Sequence, residues 1–202
     1  MRFHAAFEDL REEDFASVLD VGCGFGDLLG YLRSKGWRGR YTGVDLVDEL
    51  IGEARKRYAA DSAAEFLCGD LAAFDHSGKS DMAVALGVFN HRMHQDNLDF
   101  ARETIDKMWS ATTRVVVCDF LSMSSEPERR DHDLYYADPA TLYELASGYS
   151  RRVMIHHAYM PFEFQVKIWH DDDFPQTVPV FAPYSYLASA QTEWRKLFKS
   201  EK

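Results

Sequence analysis

The sequence predicts an α/β fold in which a mostly parallel sheet is covered by helices. Three observations predict it. From residue 17 onward, short apolar segments alternate with amphipathic ones, the pattern of repeated βαβ units. The first apolar segment ends in a glycine turn, Asp20-Val21-Gly22-Cys23-Gly24-Phe25-Gly26, that leads straight into a helix. The series finishes on a hairpin pattern, so the last strand is expected to enter antiparallel to the others.

Taken in order, Ser17 to Val21 (SVLDV) reads as strand one, and the helix after the glycine turn runs from Asp27 to Lys35, with Gly36 as its stop. Strand two is Arg40 to Asp45, after which Asp48 is expected to cap a helix reaching about Tyr58. Ala64 to Cys68 and Met82 to Leu86 give strands three and four. Leu98, Ala101, Ile105 and Met108 recur on one face of a helix from Asn97 to Trp109. Arg114 to Asp119 (RVVVCD) is expected to be a fully buried fifth strand. The polar, aperiodic stretch 121–137 follows it at the edge where open α/β sheets bind ligands, and reads as a mobile lid. Asp138 and Pro139 form an N-cap and first-turn pair for a helix with Leu142 and Leu145 on its buried side, ended by Gly148. Arg152 to Tyr159, the turn Met160-Pro161 and the segment FEFQVKIW complete the hairpin, with Phe162, Phe164, Val166 and Ile168 alternating with Glu163, Gln165 and Lys167. After the acidic run Asp171 to Asp173 and three prolines, Leu187, Ala190, Trp194 and Leu197 recur at helical spacing and predict a C-terminal helix. The expected organisation is one domain over 1–202, with a core of about 17–169 and a C-terminal extension over 170–202.

Composition narrows the function classes. With 202 residues, 46% of them hydrophobic, the chain can bury a full core. A formal charge of −10 opposes binding to nucleic acid or an anionic membrane and favours a neutral or cationic acceptor. Cys23, Cys68 and Cys118 lie far apart with no C-x-x-C, so neither a disulfide framework nor a cysteine zinc site is expected, and a reducing cytoplasm is the natural location. The first residues, MRFHAAFEDLREED, carry no apolar h-region, and no apolar run approaches the roughly 18 residues of a membrane span.

The glycine turn is the first functional signal. Without Cβ atoms, Gly22, Gly24 and Gly26 permit positive φ and let a ligand lie against the backbone at a helix N-terminus. Such a turn also serves dinucleotide enzymes, so its neighbours decide the reading. Asp45 ends strand two nineteen residues past Gly26, where a carboxylate can accept both hydrogen bonds of a ribose diol. Asp70 ends strand three in CGDLAAF, placed to accept a bond from an adenine amino group. Two acids and a glycine turn at the carboxyl ends of three successive strands outline an adenosine.

These residues carry a resemblance. VLDVGCGFG resembles motif I of class I S-adenosylmethionine-dependent methyltransferases, and GVDL and CGDL resemble the motifs after strands two and three of that family, over a stretch from about Ser17 to Trp169. The resemblance implies a three-layer Rossmann-like sandwich whose sheet has seven strands in the order 3-2-1-4-5-7-6, the last antiparallel. It also implies S-adenosylmethionine as cofactor and S-adenosylhomocysteine as product, with Gly22, Gly24 and Gly26 at the methionine end, Asp45 on the ribose, Asp70 at the adenine and Asp20 shaping the site beneath the turn. Cys23, Leu46 and Leu71, neighbours within the same motifs, and Gly87 after strand four complete the implied cofactor set. A dehydrogenase would more often show G-x-G-x-x-G, whereas Asp27 stands where that pattern places its third glycine. FNHR, LYYADPATLYELA and RRVMIHHAYMPFEFQVKIW look like a group of small bacterial methyltransferases of unassigned acceptor.

Methyl transfer from a sulfonium is an in-line displacement, so alignment and exclusion of water come first and a base is needed only if the acceptor must lose a proton. In the resembling family the segment after strand four lies beside the transferable methyl, which makes Asn90 and His91 the candidate acceptor-facing residues. His91, His94 and Asp96 could only weakly suggest a metal, and none is expected. Of His156 and His157, on opposite faces of a strand, one is expected packed and the other wet. Tyr135, Tyr136 and His132 could wall an acceptor pocket. The leading reading is methyl transfer to a small-molecule oxygen or nitrogen acceptor, with no N-P-P-Y-type motif after strand four to suggest an adenine or glutamine target. A cofactor-binding subunit that transfers nothing, and a nicotinamide-dependent oxidoreductase, are the alternatives. The C-terminal helix, around Trp194, Leu197 and Phe198, is a candidate cofactor cover or homodimer contact.

Overall fold

The strands at the centre of the sheet are apolar on both faces, which suits them only to a sheet covered on both sides. Val18, Leu19, Val44, Met82, Ala83, Val84, Val116 and Val117 are each at most 2% exposed. The structure, a computed structural model, describes residues 1–10, 15–74 and 78–171. The order of elements is α1 (Arg2–Phe7), β1 (Ser17–Val21), α2 (Asp27–Ser34), β2 (Arg40–Asp45), α3 (Asp48–Arg57), β3 (Ala64–Cys68), β4 (Ser80–Ala85), α4 (Asn97–Ser110), β5 (Thr112–Ser122), β6 (Tyr136–Ala137), α5 (Pro139–Ser147), β7 (Val153–His156) and β8 (Glu163–Trp169).

Two apolar clusters sandwich the sheet. On one face Phe7 of α1, Leu28, Leu29 and Leu32 of α2 and Ile51 of α3 pack with Val18, Tyr41, Val84 and Val117. On the other, Ala101, Ile105 and Met108 of α4 and Leu142 and Ala146 of α5 pack with Leu19, Ala83, Val116 and Phe164. Each fully buried Leu or Ile contributes about 2 kcal/mol by removal of apolar surface from water.

The sheet order is β3-β2-β1-β4-β5-β8-β7, with β1 to β5 parallel and β8 antiparallel to both β5 and β7. This is the expected 3-2-1-4-5-7-6 order once the two-residue β6, which pairs with the end of β5, is counted. Strand order reverses between β1 and β4, and Val21 lies opposite both Val44 and Ala85. The loops after β1, β2 and β4 therefore leave side by side at one edge, the crevice in which open α/β sheets take ligands.

Several local expectations change. Asp48 is the first residue of α3, not its cap; Val47 occupies the cap and has no side-chain cap bond. The Val47 N–H is held by Asp45 Oδ1, which turns the chain into the helix one residue early. β5 begins two residues before Arg114, and its first turns out of the core expose Thr113 and Arg114. The supposed lid is tied down by hydrogen bonds: Tyr136 and Ala137 join β5, Arg130 donates to the carbonyls of Met123 and Ser125, and Leu134 bridges to His91.

The largest departure concerns β8. Glu163, Gln165 and Lys167, the polar half of its alternation, are fully buried, because α1 lies over them. Arg2 pairs with Glu163, Gln165 Nε2 donates to the Arg2 carbonyl, and Lys167 reaches the Ala5 carbonyl and Asp9. The C-terminal helix read from residues 187–197 lies outside the described residues.

Candidate functional site

The glycine turn is held in a conformation that most residues resist. Gly22, Gly24 and Gly26 have φ of +71°, +53° and +73°. A Cβ on Gly26 would also stand 2.8 Å from the Tyr58 ring and 2.9 Å from that of Phe66, so this position excludes side chains twice over. A Cβ on Gly22 would meet Val88 Cγ2 at 2.6 Å, which shows how closely the turn abuts the loop after β4. Around Gly24, by contrast, nothing lies within 4 Å of that position, so its backbone faces open space. Gly26 then caps α2, whose first N–H groups and dipole favour an electron-rich ligand.

Asp45, at the end of β2, is anchored to the turn. Its Oδ2 accepts from Gly24 N–H at 2.9 Å and its Oδ1 from Val47 N–H at 3.0 Å. The carboxylate keeps lone pairs for a further donor. Leu46 beside it is 73% exposed, an apolar surface at the mouth of the crevice. Asp70, two residues past β3, caps the short turn that follows, accepting from Ala72 N–H at 2.7 Å and from Lys107 Nζ at 3.1 Å. The Ala72 amide, then the Lys107 ammonium, hold its carboxyl below the usual range.

Asp20 and Cys23 lie beneath the turn. Asp20 is buried and receives the Tyr41 hydroxyl, and burial pushes its pKa up to about 7 against that hydrogen bond and with the help of nearby Asp45. The Cys23 side chain is buried against Gly43, where desolvation raises its pKa, so only its backbone belongs to the turn. Leu71 is likewise buried in the core, beside Val21 and Val44.

The loop after β4 supplies the other wall. Gly87 has φ +85° and its N–H donates to Asp119 Oδ1 at 2.6 Å. Val88–Asn90 form one 3-10 turn, anchored by Phe89, which stacks on Phe120 with centroids 4.7 Å apart. The Asn90 carbonyl accepts from Tyr135 N–H at 3.0 Å, and its Oδ1 is buried with no hydrogen-bond partner. That orphaned oxygen marks Asn90 as a group awaiting a donor. His91 is exposed and tied by its backbone to Leu134 and Asn97, so the structure brings Asn90 to the crevice wall and leaves the His91 side chain at the surface. His156 and His157 are both partly buried, not one packed and one wet. His156 lies against Tyr159 and Glu8, and His157, just past the end of β7 and so free of strand alternation, lies against Phe164 with Nε2 unpartnered. Among the described residues the three-ligand cluster is Asp131, His132 and Asp133, all exposed.

One group had no place in the sequence reading. Asp119, three residues before the end of β5, is buried between Gly87 and Arg2, with Glu163 and Tyr159 alongside. Arg2 Nε lies 2.8 Å from Asp119 Oδ2 and 3.0 Å from Glu163 Oε1, and its hydrogen is directed to the latter. Asp119 Oδ2 is thus ion-paired without a hydrogen bond. Burial, then the Glu163 charge, push its pKa up to about 7 against the Arg2 charge. The available signal was an acid ending a buried strand, the same signal that marked Asp20, Asp45 and Asp70; Arg2 gave none, being 117 positions away in sequence.

Residues 18–108 match the family model described as methyltransferase domain. The chain is 33% identical over 156 residues to the protein named "Putative methyltransferase Rv1506c" of Mycobacterium tuberculosis, covering 75% of this chain and 92% of that one. It is 30% identical over 143 residues to the Escherichia coli O-antigen chain terminator bifunctional methyltransferase/kinase WbdD, covering 66% of this chain and 19% of that much longer one. Among solved structures, magnesium protoporphyrin IX methyltransferase from Synechocystis PCC 6803 with bound S-adenosylhomocysteine superposes with a TM-score of 0.63 at 19% identity, over 84% of this chain and 80% of that one, a likeness of fold.

Proposed function

This chain belongs to the class I, Rossmann-like methyltransferases, which use S-adenosylmethionine, and from that premise we propose that it transfers the methyl group to an oxygen or nitrogen of a small molecule. The observation that carries the donor half is the cradle itself: three glycines at positive φ, pinned through Gly24 N–H to Asp45, with Gly24 facing open space. In this reading the turn and the N-terminus of α2 take the methionine end, Asp45 the ribose hydroxyls and Asp70 the adenine amino group, while exposed Leu46 offers its apolar surface to the base. Asp20 and Cys23 hold the turn from below, and Leu71 does the same from the core.

When bound, the cofactor supplies an electrophilic methyl on a sulfonium. The chain's own task is to align the acceptor and keep water out. Asn90, whose Oδ1 lacks a donor, accepts a hydrogen bond from the acceptor and orients it. Tyr135 N–H ties its segment to the Asn90 carbonyl and its ring packs on the core, while the Tyr136 ring lies under Arg130 with its hydroxyl accepting from Asp131 N–H. His91, exposed, is left as a weaker base candidate than the sequence suggested.

The formal charge of −10 supports a neutral or cationic acceptor over a polyanion. Among the described residues no helix is long and apolar enough to cross a membrane. A cytoplasmic location and a homodimer through residues 187–198 complete the proposal. The test is transfer of methyl-labelled cofactor into size-fractionated cell extract from a strain lacking the protein. Label in the low-mass fraction, absent with the Asn90→Ala variant, is the expected result; label confined to RNA or protein would contradict a small acceptor.

A further inference from the structure

The described structure holds two wholly buried carboxylates against one guanidinium at the wall of the crevice. Asp119 and Glu163 are both 0% exposed, and Arg2 is bonded through Nε and Nη2 to Glu163 while lying beside Asp119. Other groups facing Asp119 are the Gly87 N–H from the loop after β4 and Tyr159 from the turn between β7 and β8, whose phenol donates to Glu163 at 2.8 Å. Two negative charges and one positive leave an excess of one negative charge, and Asp119 Oδ2 has no hydrogen bond to quench it. Asp119 is coupled directly to the crevice backbone, because its Oδ1 holds Gly87, and Arg2 Nη1 lies 3.3 Å from where a Gly87 Cβ would stand.

The donor and its product differ there by one charge. S-adenosylmethionine is a sulfonium cation at the sulfur, S-adenosylhomocysteine a neutral thioether, and their adenosine, amine and carboxylate are the same. A buried negative excess beside Gly87 acts on all the ligand's charges, but those common to both ligands cancel in the ratio of affinities and the sulfonium does not.

We propose that the Asp119–Arg2–Glu163 cluster is a charge-selective element of the cofactor site, favouring the cationic donor over the neutral product and so promoting product release. The proposal rests on the assignment of the crevice to S-adenosylmethionine. It makes Asp119 a specificity-determining residue that touches neither reacting atom. Because burial and the Glu163 charge raise the Asp119 pKa to about 7, the carboxyl is largely neutral at pH 6 and ionised at pH 8, so the selectivity grows as pH rises. Among the described residues Asp20, also raised to about 7 but set under the glycine turn against Tyr41 and Asp45, is the other buried acid in that range.

The experiment is calorimetric titration of the full chain with S-adenosylmethionine and with S-adenosylhomocysteine at pH 6, 7 and 8, without acceptor. For the wild type, the ratio of the two affinities should shift toward the donor by about fivefold between pH 6 and 8, the size of one screened charge interaction. In Asp119→Asn, which keeps a carbonyl oxygen for Gly87, the ratio should be flat. Glu163→Gln removes a neighbouring like charge, so it should shrink the shift and move it to lower pH, and this variant decides the matter if Asp119→Asn fails to fold. A flat ratio in the wild type, or an undiminished shift in the variants, would overturn the cluster's role and point to Asp20 or to no charge selection. Binding of neither ligand to the wild type would overturn the donor assignment instead.

Discussion

The two halves of the crevice are built by different means. On the β1 to β3 side the working parts are backbone: glycines at positive φ, amides bonded to carboxylates, and contacts that close over short spans, Gly24 to Asp45 across 21 positions and Asp70 to Ala72 across two. On the β4, β5 and β8 side they are charged side chains recruited from distant parts of the sequence, as with Arg2 and Glu163, 161 positions apart. The first half is fixed by what each residue can do locally; the second exists only once the sheet has assembled. A backbone cradle suits a ligand with invariant features, whereas a charged wall can be retuned by single substitutions.

The sharpest break of this contrast lies in the glycine turn. Gly26→Ala should lower stability by about 3 kcal/mol, since it combines an unfavourable φ of +73° with a Cβ forced against Tyr58 and Phe66. Gly24→Ala, with a φ of +53° and open space around it, should cost only about 1 kcal/mol while still weakening cofactor binding. Urea unfolding compares the two, and equal losses would mean that strain alone, without packing, governs the turn.

On the other side, Arg2→Met strands two buried carboxylates. Because the Arg2 side chain is 35% exposed, the expected cost is a discounted value of about 2 kcal/mol, largest above pH 7 where Asp119 is ionised. A loss that does not vary with pH would show that packing of α1, and not its charge, is what matters.

Each half also contains one acid with a raised pKa, and the sign of its contribution follows. Asp20 titrates at about 7 in the folded protein and at about 4 when unfolded, so the native state retains a proton that the unfolded chain has lost. Its contribution to stability is complete below pH 4 and is lost as pH rises through 7. Stability should therefore fall by about 1 kcal/mol or more between pH 5 and 8, and Asp20→Asn should flatten part of that slope. A slope unchanged in the variant would assign it to other groups.

The smallest effect belongs to the exposed ion pair of Asp70 and Lys107. Lys107→Ala should change stability by less than about 0.5 kcal/mol, because Asp70 remains held by the Ala72 amide and the ion pair is open to solvent. A loss above 1 kcal/mol would show that Asp70 depends on the ion pair.

The contrast also explains what could be read in advance. The glycine turn, Asp45 and Asp70 were legible because strand ends and glycines carry their own signals in a handful of neighbouring residues. The strand positions and the antiparallel end were legible in the apolar runs and one hairpin pattern, whereas the lateral order of the strands came from the resemblance to the family. The seat of α1 was not: the alternation of β8 shows that Glu163, Gln165 and Lys167 share a face, but nothing local says that Arg2, Ala5 and Asp9 will bury it. For the same reason His91 drew attention by residue type, while Asp119 waited for the tertiary neighbours that give it its charge environment. The segment 121–137 looked free because its polar residues have no period, yet its hydrogen bonds run to β5 and to the loop after β4, which periodicity cannot detect.

The most direct test of the account is titration of the purified protein with S-adenosylhomocysteine, beside NADH, repeated on Asp45→Ala. Micromolar binding of the thioether alone, weakened at least about tenfold in the variant by loss of the hydrogen bonds to the ribose and to Gly24, is the predicted result. Binding of NADH alone, or thioether binding that is indifferent to Asp45, would contradict the assignment of the glycine cradle.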